Sequence, residues 1–244
     1  PMGSQEKAAN PQEFEQWASK MSFNEFLVEY KLDGASLELQ YTDGIFTRAV
    51  TRGDGEIGDD ITQNVLKMKG LVKVLKNAQG KVFPLTGGVR GEVIMSHEVH
   101  TVYFKTKANC RNAANGLMKR KDGSGSEHLQ IICYDASFTG TNDLIPFTDE
   151  EEKLIWLHSC GFTVVPLHIC RGSSEVIEYR AQIMEKRKSL PYDIDGLVIK
   201  GRVIDPSDAG RKRPEKQIAF KFSLEEAVTV VRSIIWSESG ATYT

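Results

Sequence analysis

The sequence contains no C-x-x-C pair. Its four cysteines, Cys110, Cys133, Cys160 and Cys170, are scattered, which indicates neither a zinc-finger spacing nor a disulfide framework. Such usage fits a reducing compartment. No apolar run approaches the roughly 18 residues that a membrane helix needs, and no basic-then-apolar leader is visible. A membrane role is therefore not expected. Charge of one sign is also scarce: the net charge is -2, unlike that of a dedicated, strongly basic nucleic-acid module. Local basic patches remain open. No internal repeat is visible, so a solenoid is excluded.

What is present is ordinary globular composition: 244 residues, 40% hydrophobic and 26% charged, enough for one large domain or two small ones. Asn10, Pro11 and Glu13 read as a helix start, with Phe14 and Trp17 on one face. Residues 22–28 alternate like a strand leading to Lys31. Two further strand patterns, 35–42 and 45–52, flank Asp43-Gly44, a strong hairpin signal. Asp59 or Asp60 should cap a helix carrying Ile61, Val65 and Met68. Residues 82–84, 88–95 and 129–134 read as strands, and 97–107 as a helix. Thr148 with Glu151 opens a helix that Gly161 closes, and Ser174 opens another. Strands at 196–200, 217–222 and 227–236 follow. Strands dominate, helices are interspersed and the hairpin is antiparallel, so the fold class is α+β.

The chain is organised around Glu29-Tyr30-Lys31-Leu32-Asp33-Gly34. A lysine becomes a nucleophile only when burial or a nearby cation frees its lone pair. Gly34 would let a ligand phosphate approach the backbone closely. The bland alternative is a lysine at the end of an ordinary hairpin. Thr51-Arg52-Gly53-Asp54-Gly55 can wrap phosphate, with Arg52 as a bidentate donor, or can be a plain hairpin loop. Glu92, in Arg90-Gly91-Glu92-Val93, suits a ribose diol or an edge-strand ion pair. Lys200 and Lys221 stand inside apolar strands, where burial is costly without a partner. With Lys31 they call for a shared anion, and a nucleotide phosphate is the economical one. His97 and His100, at i and i+3, read as surface histidines rather than metal ligands.

Glu-x-Lys-Leu-Asp-Gly, Thr-Arg-Gly-Asp-Gly, Arg-Gly-Glu-Val, Cys-Arg-Asn-Ala-Ala, Asp-Ile-Asp-Gly-Leu-Val-Ile-Lys and Ala-Phe-Lys-Phe occur in that order. This set resembles the nucleotidyltransferase superfamily and, within it, the adenylation domain of NAD-dependent DNA ligases. The resemblance implies a DNA ligase/mRNA-capping type fold of antiparallel sheets flanked by helices. It implies that Lys31 attacks the α-phosphate of NAD and forms lysyl-AMP, which passes to a DNA 5′-phosphate for nick sealing. By the same resemblance, Ser4, Glu29, Asp33, Gly34, Arg52, Glu92, Tyr134, Lys200 and Lys221 line the adenine-nucleotide site. Glu29 reads the adenine amino group, Tyr134 stacks on the ring, and Arg52 and Glu92 hold phosphate and ribose. Lys200 sits between adenine and α-phosphate, and Lys221 beside the phosphate, where both favour the reactive form of Lys31 and stabilise transition-state charge.

Nicked double-stranded DNA is the implied partner, contacted by Arg111, Lys119 and Arg187. Three basic clusters, 105–121, 186–188 and 211–213, fit a DNA-facing rim or a solvated face. Magnesium is implied, with ligands mostly water and phosphate, so no protein metal ligands are expected. No obligate protein partner is evident. Cytoplasmic, nucleoid-associated placement follows if the source is bacterial. The chain departs from the family pattern at Gln5, at Lys119 in place of an arginine, and at Lys216 near an expected tryptophan. The expected boundaries are 1–226 for the adenylation domain and 227–244 for a linker or the start of an oligonucleotide-binding barrel. A small domain gripping nicotinamide mononucleotide is expected before Pro1. Without it, the chain should bind an adenine nucleotide yet adenylate from NAD poorly and fail to seal nicks. The alternatives are an ATP-dependent ligase or capping-type nucleotidyltransferase, and a non-catalytic DNA-binding module.

Overall fold

The computed structural model describes residues 6–53, 57–139, 145–204 and 215–222. Two sheets form its frame. The first has the order β1-β9-β8-β2-β7 and the second β4-β3-β5-β6. In the first sheet the strands are β1 (Glu6–Ala8), β2 (Phe26–Leu32), β7 (Leu167–Cys170), β8 (Ile194–Lys200) and β9 (Gln217–Lys221). In the second they are β3 (Ala35–Thr42), β4 (Ile45–Thr51), β5 (Thr86–Ile94) and β6 (Gln130–Thr139). All pairings are antiparallel except β1 with β9. The expected α+β class and antiparallel sheets are therefore present.

Only Asp33-Gly34 separates β2 from β3, so the chain passes from one sheet to the other directly after Lys31. Gly34 is required for packing. A Cβ there would lie 2.2 Å from the Val93 carbonyl oxygen and 2.9 Å from Glu92 Cγ. One close approach to the backbone at Gly34 is thus made by β5.

Helices cover the sheets. α1 (Pro11–Ala18) begins as expected: Asn10 accepts from the Glu13 N–H at 2.9 Å, and Phe14 and Trp17 are buried. Phe14 stacks on Phe220 of β9 at 4.8 Å. The Asp43-Gly44 hairpin is present, with φ of 49° and 79° at the two turn residues. α3 (His97–Tyr103) is capped by Ser96. α5 (Glu150–Ser159) is capped by Asp149, one residue after the expected Thr148, whose N–H and hydroxyl instead bond Glu152. Gly161, at φ 98°, follows it. α6 (Ser173–Lys186) starts one residue earlier than expected.

Several expectations fail for local reasons. α2 (Thr62–Val65) is four residues long, and Asp60 bonds Thr62 without capping the helix. Residues 82–84 form no strand: Val82 bridges Lys76, and Pro84 has no N–H to extend a ladder. β2 starts at Phe26, and Phe23, before it, packs edge-on against Phe26 at 5.7 Å. α4 (Cys110–Met118), capped by Asn109, and the short edge strand β7 were not expected. The predicted strand 227–236, the cluster 211–213 and the boundary at 226 lie outside the described residues.

Candidate active site

The register of three strands assembles the first cluster. Lys31 of β2 lies opposite Gly196 of β8, and Gly196 lies opposite Lys221 of β9. Cross-strand partners share a face, so both lysines project from the same side of the sheet. The β2–β8 register shifts between Lys31 and Leu32, which face Gly196 and Ile194. Asp195 is the unopposed residue of that bulge, and a bulge re-aims the side chain it carries. Its carboxylate accepts from Lys31 Nζ at 2.9 and 3.2 Å and lies 3.4 Å from Lys221 Nζ. All three side chains are partly exposed, so the cluster is open to solvent. Buried Arg180 of α6 fixes the end of β9, donating to the Lys221 carbonyl at 3.0 and 2.6 Å and lying 4.3 Å over the Phe220 ring.

A second cluster lies deeper. Lys200 Nζ is 2.9 Å from Glu29 Oε1 and 3.0 Å from Glu150 Oε2. Lys153 Nζ reaches Glu150 and Asp135, each at 2.6 Å, and Arg90 lies 3.6 Å from Asp135 and 3.1 Å from Glu38. The chain of alternating charge runs from the first sheet through α5 to the second. Burial opposes charge on Lys200, but Glu29, Glu150 and Asp135 more than offset it and hold the ammonium above the ordinary lysine range. Burial likewise pushes Asp135 and Glu150 up, and the lysines more than offset it, leaving both below their usual range. Glu29 is the exception: burial raises it, and Lys200 offsets this only in part. Three carboxylates share two lysines here, which leaves Glu29 short of positive charge and suited to an N–H donor from a ligand.

The opposite wall belongs to the second sheet. Glu92 is buried and accepts from the Ser36 hydroxyl at 3.0 Å. Burial pushes its carboxyl up to about 7, with Ser36, Lys31 and Arg111 pulling it down in part. The β5–β6 register shifts between Arg90 and Gly91, which face Asp135 and Cys133. Tyr134 is therefore the unopposed residue of a second bulge, and burial followed by the Glu92 charge pushes its phenol well up. Arg52 follows β4, and its N–H donates to the Ser36 carbonyl at 3.3 Å. Asp33 accepts from Arg111 Nη1 at 3.1 Å.

The expected residues are thus grouped by structure: Lys31 with Lys221, Glu29 with Lys200, Arg52 and Glu92 beside Ser36, and Asp33 with Arg111. The outlying pair differs. Lys119 Nζ contacts Asp59 at 2.8 Å, and Arg187 lies 5.2 Å over the Phe222 ring. Ser4 and Gln5 lie outside the described residues. One expectation needs correction. The strand lysines are balanced by Asp195, Glu29 and Glu150, so a nucleotide phosphate is not needed to neutralise them. Sequence reading missed Asp195, Glu150, Lys153 and Arg180. Only Asp195 had a signal, as the acid before Gly196 in a motif already singled out.

The model of the NAD-dependent DNA ligase adenylation domain matches residues 1–225. The chain belongs to that family. It is 62% identical to a DNA ligase of Treponema denticola and 52% identical to one of Treponema pallidum, covering 100% of this chain in each case. It spans only 39% and 30% of the length of those relatives. An archaeal ATP-dependent RNA ligase shares the fold, with a TM-score of 0.52 and 16% identity over 90% of this chain and 48% of that one. Family membership makes NAD the expected AMP donor. Among the described residues, no helix is long and apolar enough to cross a membrane.

Proposed function

We propose that this adenylation domain transfers AMP from NAD to a DNA 5′-phosphate by way of Lys31. The observation that carries the reading is Lys31 held beside Lys221 by one carboxylate at the mouth between two sheets. The Lys31 amine attacks the α-phosphorus, the bond to nicotinamide mononucleotide breaks, and the amine proton leaves as the phosphoramidate forms. Asp195 orients the Lys31 amine and is the nearest acceptor for that proton. Lys221 is placed to stabilise charge on the phosphoryl oxygens, worth most where it exists before the reaction begins. Glu29 accepts the adenine amino group while Lys200 keeps it oriented. Tyr134, aimed by its bulge, stacks on the ring, Glu92 holds the ribose, and Arg52 and the Asp33-Gly34 turn border the phosphate.

The nick's 3′-hydroxyl then displaces AMP from the 5′-phosphate. Arg111 and Lys119 are in exposed ion pairs, which contribute little to stability and exchange readily for phosphate contacts. With Arg187 they form the proposed rim for nicked duplex DNA. Magnesium, when bound, would neutralise phosphate charge. Asp33 and Asp195 already face cations, so water and phosphate oxygens would supply most of its ligands.

The test is donor choice. The chain, in a protein that also supplies the nicotinamide-gripping domain, is incubated with magnesium and NAD, ATP or GTP, and its mass is measured intact. An AMP adduct from NAD is expected. A GMP adduct, or AMP accepted from ATP but not NAD, would replace this reading with a capping-type or ATP-dependent enzyme. DNA binding with no adduct from any donor would point to a binding module.

A further inference from the structure

His97, Cys110 and Asp193 come from three separate elements and converge. One ring nitrogen, the Cys110 sulfur and a carboxylate oxygen lie within 4.8 Å of one another. His97 is the first residue of α3, Cys110 the first of α4, and Asp193 immediately precedes β8. The backbone fixes their approach: His97 N–H donates to the Pro191 carbonyl at 2.9 Å, and Asp33 N–H to the Asp193 carbonyl at 3.0 Å. His97 Nε2 lies 2.7 Å from Asp193 Oδ1, both side chains are about two-fifths exposed, and Cys110 is buried beneath them. The other histidine of the pair plays no part, since His100 Nε2 contacts the Lys107 carbonyl at 3.0 Å.

We propose that these three residues form a binding site for a borderline-soft divalent ion of the zinc type, with solvent in the fourth position. Imidazole, thiolate and carboxylate together select such a metal, whereas magnesium avoids sulfur and imidazole. Zinc bonds of about 2.0–2.3 Å in a tetrahedron require ligand atoms roughly 3.3–3.8 Å apart. The His97–Asp193 contact opens by about half an ångström, and the other separations, none above 4.8 Å, close by about one or less. Binding displaces the thiol proton to solvent and leaves the metal's oxidation state unchanged.

The site adjoins the adenylation residues without containing any. Asp193 holds the backbone of Asp33, and Arg111, which pairs with Asp33, follows Cys110 directly. A bound ion ties α3, α4 and the β8 lead-in around the turn that follows Lys31. Its binding is independent of whether Lys31 reacts with NAD.

The metal-stripped protein is titrated with Co2+ and then Zn2+, without nucleotide. One equivalent of Co2+ should give a thiolate-to-metal charge-transfer band that Zn2+ removes by displacement. Cys110→Ser should lose the band, and His97→Ala, at an exposed position, should bind at least about tenfold more weakly. Peptide mapping should show Zn2+ protecting Cys110 from alkylation, and not Cys133, Cys160 or Cys170. Absence of the band in the wild-type protein overturns the proposal. So does a band that persists in folded Cys110→Ser, affinity unchanged in His97→Ala, or Cys110 left unprotected.

Discussion

Asp195 reaches Lys31 from the unopposed position of a β-bulge, with hydrogen bonds of 2.9 and 3.2 Å. The neighbouring residue makes this possible. A Cβ on Gly196 would lie 2.6 Å from the Phe220 carbonyl oxygen and 2.8 Å from Lys221 Cα. Gly196→Ala should push β9 away from β8, destabilise the protein by about 1–3 kcal/mol, and separate Lys221 from Asp195. Urea unfolding and the rate of AMP-adduct formation check this. Unchanged values for both would remove Gly196 from the account.

Glu92 and Lys221 should fail by different routes. In the proposed binding mode Glu92 touches ribose before and during reaction, so Glu92→Ala should mainly weaken nucleotide affinity. In the same mode Lys221 faces the reacting phosphate, so Lys221→Ala should mainly slow the chemical step. Single-turnover rates measured against NAD concentration separate the two. An equal loss of affinity and rate in both variants would count against these roles.

The Glu92 carboxyl also gives a pH signature. Burial raises it from 4.5 to about 7 in the folded chain. A raised carboxyl binds its proton more tightly folded than unfolded. Its contribution is therefore full below pH 4.5 and is lost as pH rises through about 7. The change is on the order of 3 kcal/mol. Glu92→Gln should flatten the ligand-free stability curve across that window. A wild-type curve with no fall there would contradict the assignment.

Lys153 is buried with two carboxylates at 2.6 Å. Lys153→Met keeps much of the volume but leaves Asp135 and Glu150 with less positive charge. Breaking such a pair costs about 3–5 kcal/mol. Chemical denaturation should show a loss of that size. A loss under about 1 kcal/mol would make the network a surface-like one.

The residues proposed to carry chemistry stand out as candidates in the sequence because they sit in short local motifs, and the Asp43-Gly44 hairpin was legible because its turn chemistry is local. The charge network was not. Lys153 directly follows Glu150, Glu151 and Glu152, and nothing local signals that folding buries it against Asp135 of β6. β7 escaped notice because four edge residues alternate too briefly. α4 was hidden behind its motif, although Asn109 was a usable cap signal. His97, Cys110 and Asp193 are joined only by tertiary structure, so no sequence spacing could pair them.

The central claim is that Lys31 is the residue that carries AMP. Its side chain is 26% exposed, so replacing it should leave the fold intact. The most direct measurement is peptide mass mapping of the full-length protein after incubation with NAD and magnesium, for wild type, Lys31→Ala and Lys31→Arg. The account predicts one acid-labile AMP adduct on Lys31 in the wild type. It predicts none in either variant, because alanine has no amine and arginine keeps its proton. An adduct on Lys200, Lys221 or any other residue, or one that persists in folded Lys31→Ala, would contradict it.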